Sequence, residues 1–69
     1  MISVDLRTVG RECKRFRRSL GKTQNEVASE IGYALNTISQ FECGGNNNLY
    51  IFLWYIKNGI DIQRLKEVL

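Results

Sequence analysis

Sixty-nine residues with 43% apolar content read as one small globular domain, 1–69, with no room for a separate sensing domain. Two cysteines and no histidine exclude a structural zinc site of four Cys/His ligands, and no metal or cofactor is expected. The net charge of +3 hides an asymmetry: residues 1–22 hold seven of the ten basic side chains, whereas residues 23–48 hold none and carry Glu26, Glu30 and Glu42.

Such a basic half either attracts polyanions at long range or is only the solvated face of a helix. Leu6, Val9, Cys13, Phe16 and Leu20 recur at spacings of three and four, which predicts a first amphipathic helix. Arg7, Arg11, Lys14, Arg18 and Lys22 centre almost opposite that stripe. Arg17 falls at the stripe's edge, where a long cation sits half-buried and calls for an acidic partner. Gly21 ends the helix. Arg7 and Arg11 interrupt the N-terminal segment, so no secretory signal is expected there, and Cys13 and Cys43 are read as free thiols in a reducing cytosol.

Thr23 followed by Glu26 forms a capping box. It opens a helix over 24–31 that buries Val27, Ala28 and Ile31 and stops at Gly32. After Tyr33, a further helix over about 35–43 buries Ile38 and Phe41 and leaves Leu35, Asn36, Ser39 and Gln40 outward. Gly44, Gly45 and Asn46 to Asn48 form a loop by composition.

The pattern leaves the remainder open. Leu49 to Ile56 is apolar throughout, with strand-favouring residues, and Asn58-Gly59 is a hairpin signal. The same segment fits a helix ended by Gly59, with Asp61 capping a last helix to Leu69, in which Leu65 and Leu69 lie four apart. The apolar run is too short to span a bilayer as a helix, so no membrane partner is expected. If the segment is helical, Leu49, Phe52, Leu53 and Ile56 share a face that closes the core. Tyr50, Trp54 and Tyr55 then point elsewhere and form a candidate dimer interface.

Residues 23–44, TQNEVASEIGYALNTISQFECG, combine two short helices, a tight turn at Gly32, small Ala28 at the close approach and Ile38 as the anchor of the second helix. With Arg17 and the Gly59-Ile60-Asp61-Ile62 step, they resemble the lambda-repressor-like, Cro-type helix-turn-helix family of phage-type regulators, from about Val9 to Leu65. The resemblance implies a compact all-α domain of five helices, with an α+β form carrying a C-terminal hairpin as the alternative. It implies a sequence-specific regulator that binds a double-stranded DNA operator as a homodimer, without a small-molecule substrate, in the cytoplasm of a bacterial host cell. The helix from Leu35 would enter the major groove.

The family's base-reading positions fall on Leu35, Asn36 and Gln40, with Ser39 beside them. Asn and Gln suit the N6 and N7 groups of adenine, and Leu35 suits a thymine methyl. Phosphate-binding positions fall on Thr23, Gln24, Thr37, Asn46, Asn47 and Asn48, and Arg17 and Glu42 occupy positions that pair in the family. Two departures stand out. The recognition helix and its loop lack Arg and Lys, and Ala34 replaces a capping hydroxyl. The rival function is a protein-binding module on the same fold, such as an antirepressor or a repressor partner. An enzyme lacks support, because there is no histidine, no paired nucleophile and base, and no phosphate-binding glycine motif.

Overall fold

In the computed structural model, which describes residues 5–68, five helices follow one another: α1 (Leu6–Ser19), α2 (Gln24–Ile31), α3 (Leu35–Glu42), α4 (Leu49–Lys57) and α5 (Ile62–Val68). The fold is all-α. Among the described residues there is no strand, so the hairpin alternative falls. Asn58 and Gly59, read as a hairpin signal, instead terminate α4: Asn58 is its C-cap, and Gly59 turns the chain at φ +97°. Leu69, part of the expected last helix, lies outside the described residues.

Each boundary has a local cause. The Asp5 carboxylate accepts from the backbone amides of Arg7 and Thr8 and starts α1. Thr23 and Glu26 form the reciprocal capping box at α2. Gly32 closes α2 in the left-handed conformation at φ +89°, which a side chain there would strain. The Asn48 side chain caps α4, and Asp61 Oδ1 accepts from the Arg64 amide at the start of α5. Ala34 provides no side-chain cap for α3, as its residue type dictates.

The core comprises Cys13, Val27, Ala28, Ile38, Phe41, Ile51, Tyr55, Ile60 and Leu65. Leu6 and Leu20, placed on the apolar stripe of α1, are exposed at its two ends, because the helix is longer than the surface it packs on. Val9 and Phe16 are partly buried between them. Gly10 and Arg17 lie two turns apart on α1 and are both buried, so this edge of the helix meets α3. An Arg64–Glu12 ion pair at 3.2 Å ties α5 to α1.

The expected orientation of α4 is corrected. Ile51 and Tyr55 are fully buried, while Leu49, Leu53 and Ile56 are exposed and Phe52 is only half-buried. The helix is turned by about a third of a revolution from the face expected to close the core. An all-apolar run carries no periodic signal, so its neighbours decide. Tyr55 stacks on Phe41 at 5.9 Å between ring centroids, and its edge meets Phe16 at 6.3 Å. Its hydroxyl also reaches a buried carboxylate that an aliphatic residue would leave short of a donor.

Candidate nucleic-acid interface

That carboxylate, Glu42, occupies the last turn of α3 and holds α1, α2 and α4 around it. Arg17 of α1 donates from Nε to Oε2 at 2.7 Å and from Nη2 to Oε1 at 3.2 Å. Gln24 of α2 donates to Oε1 at 2.9 Å, and the Tyr55 hydroxyl of α4 donates to Oε2 at 3.0 Å. Arg17 Nη1 also donates to the Lys22 carbonyl at 2.7 Å. Arg17 and Glu42 therefore pair as expected, in the bidentate geometry peculiar to arginine and carboxylate.

Burial pushes the Glu42 carboxyl up, but the hydrogen bonds from Arg17, Gln24 and Tyr55 outweigh it and hold the group below its ordinary value. Burial raises the Tyr55 phenol, and the Glu42 charge raises it further. Because the folded state depresses the Glu42 pKa, the stability this group contributes is full above the ordinary carboxyl value. It is lost as pH falls through the lower folded value. We expect the urea midpoint of the wild type to drop between pH 7 and pH 3 by more than that of Glu42→Gln, measured in parallel. Equal drops would place the acid sensitivity elsewhere.

Against this frame α3 turns one face outward. Ile38, Phe41 and Glu42 are buried, and Asn36 and Gln40, one turn apart, are exposed nearly opposite them. Leu35, 43% exposed, stands at the N-terminal end of the helix to one side of that face, toward α1 and α2. Ser39 and Thr37 flank it and are half-buried, so they offer less reach than Asn36 and Gln40. The outward helix is thus anchored through its inner side, with its polar row uncovered.

The expected phosphate positions divide. Thr23 is exposed at the N-terminus of α2, but its hydroxyl accepts from the Glu26 amide. Gln24 is half-buried, and its side-chain nitrogen is engaged with Glu42. Asn46 Oδ1 accepts from the Asn48 amide at 2.7 Å, and Asn48 Oδ1 serves the α4 cap, so both oxygens stabilise the loop. Asn47 is exposed at its tip.

The dimer candidates divide as well. Tyr55 is withdrawn from that role, because it is fully buried between Phe41 and Phe16 with its hydroxyl on Glu42. Trp54 is half-buried and folds back edge-on to Tyr55 at 5.0 Å, with Lys22 Nζ 6.0 Å from its ring. Tyr50 remains outward, 69% exposed, beside Leu49 and Leu53.

Sequence reasoning missed one component of the surface. An open groove lies between the C-terminal end of α1, the start of α2 and Leu35 of α3, and Lys14, Arg18 and Lys22 line it with Thr23 to Asn25. The cations absent from α3 thus stand beside its N-terminal end. The signal was the cationic stripe itself; the helix packing that aims it is a tertiary property. Lys22 is also paired with Glu30, which lowers the Glu30 carboxyl.

Both cysteines are free. Cys13 is buried, with burial pushing its thiol up to about 12, and Cys43 is exposed. Among the described residues no cluster suits a metal ion, and no helix is long and apolar enough to cross a membrane. No family model matches the chain, and comparison with curated proteins and with solved structures yields no match.

Proposed function

We propose that this protein is a sequence-specific double-stranded DNA-binding regulator that places α3 in the major groove. The observation that carries the reading is the row formed by Asn36 and Gln40. It is exposed and polar, and it stands on a helix fixed from behind by Ile38, Phe41 and the Glu42 network. An α-helix fits the major groove by diameter, and side-chain amides match the donor and acceptor pair of adenine. Leu35, exposed beside the row at the start of the helix, offers an apolar contact of the kind a thymine methyl accepts. Two short helices, α2 and α3, joined through the tight turn at Gly32 support a helix-turn-helix reading, as does the resemblance to the Cro-type family.

Two copies would bind paired half-sites. The exposed Leu49, Tyr50 and Leu53 of α4 supply the apolar surface for that contact, in place of the buried Tyr55. The same patch favours the second reading, a protein-binding module whose partner covers α4.

Selection of bound duplexes from a random pool tests the proposal. A defined motif is expected, and a palindrome with half-sites one helical turn apart would report two copies. On the selected duplex, Asn36→Ala and Gln40→Ala are each expected to cost about 1–3 kcal/mol of specific binding, with random-sequence binding nearly unchanged. Enrichment of no sequence would leave the protein-binding reading in its place.

A further inference from the structure

The cationic face of α1 goes beyond what a solvated helix surface requires. Arg11 and Arg15, and Lys14 and Arg18, are like-charged pairs four residues apart, a spacing at which repulsion destabilises a helix. The single acidic residue of α1, Glu12, is engaged with Arg64 of α5 and does not relieve them. Among the described residues none of the four cations has an ion-pair partner. All four are exposed and together line one shallow recess. Lys14 and Arg18 also line the groove that opens onto Leu35. One continuous cationic track therefore runs from the N-terminal end of α3 along α1.

Resting on the DNA-binding reading, we propose that this track carries the sugar-phosphate backbone of the same duplex beyond the major-groove contact. In this arrangement α3 reads bases and α1 supplies the charge neutralisation that α3 and its loop lack. The division accounts for two observations together: residues 23–48 contain no Lys or Arg, and Lys14 and Arg18, at one end of the α1 track, line the groove that reaches Leu35 of α3. A backbone contact of this kind strengthens binding to every sequence alike and appears as salt dependence.

The test compares wild type, the double variant Lys14→Gln/Arg18→Gln, and a control of equal charge change on α5, Gln63→Glu/Lys66→Gln. Circular dichroism verifies that all three are folded. Affinities for the selected duplex and for a random duplex are measured between 50 and 200 mM salt. Each phosphate contact contributes about 0.9 to the slope of log affinity against log salt. The α1 variant is therefore expected to lose roughly two such increments on both duplexes, while the α5 control keeps the wild-type slope. Unchanged slopes in the α1 variant, or equal losses in both variants, would overturn the track and leave base reading by α3 standing. A wild type that retards neither duplex at 50 mM salt would overturn the DNA reading and the track together.

Discussion

Glu42→Ala is expected to remove a large share of the chain's stability and to lower its melting temperature by about 10 °C or more. The substitution strands Arg17, only 7% exposed, without its carboxylate, and removes the acceptor of Gln24 and Tyr55 as well. Breaking a buried pair from one side costs about 3–5 kcal/mol, because an uncompensated charge stays behind. A domain of this size has roughly 3–10 kcal/mol in total. Thermal denaturation followed by circular dichroism measures the effect, and Glu42→Gln, which keeps one acceptor oxygen, is expected to fall between the two. A Glu42→Ala melting temperature within a few degrees of wild type would mean that water reaches Arg17.

Gly10→Ala is expected to destabilise the protein, against the ordinary rule for helices. In a solvent-facing helix interior, alanine gains about 1 kcal/mol over glycine. At position 10 a Cβ would stand 2.4 Å from the Glu42 carbonyl oxygen and 2.7 Å from that of Phe41. Both are backbone atoms, so no side chain can rotate away. The strain is relieved only by moving α3 off α1, which stretches the Arg17–Glu42 pair two turns along the same edge. Overpacking costs typically about 1–3 kcal/mol, and the shared network directs this case to the upper part of that range. Urea denaturation decides the sign: stabilisation would show that α1 and α3 sit further apart.

These two positions illustrate what the chain reveals on reading. Arg17 called for an acidic partner by lying at the edge of an apolar stripe, and the family resemblance pointed to Glu42. Thr23, Glu26 and Gly32 announced the ends of α2 because caps are local chemistry, decided within four residues. Gly10 gave no such notice, since a glycine inside a helical pattern reads as a weak spot until a neighbouring backbone is seen against it. The register of α4 was hidden for another reason. Eight apolar residues in a row offer every face to the core. Tyr55 was selected by Phe41, Phe16 and the Glu42 carboxylate, all distant in sequence. At the candidate interface, the polarity of Asn36 and Gln40 was readable directly. That Lys14 and Arg18 stand at the end of their helix depends on how α1 crosses α2 and α3.

The placement of one carboxylate at the meeting of four helices also bears on how the chain assembles. The donors to Glu42 come from residues 25, 18 and 13 positions away along the chain, and no helix can satisfy it alone. A partly docked intermediate that covered Glu42 before Arg17, Gln24 and Tyr55 had all arrived would bury an unmet charge, which is less favourable than leaving it in water. Half-built states are thereby penalised at both ends of the reaction. The shared carboxylate is thus expected to add to the all-or-none folding that a 69-residue single domain ordinarily shows.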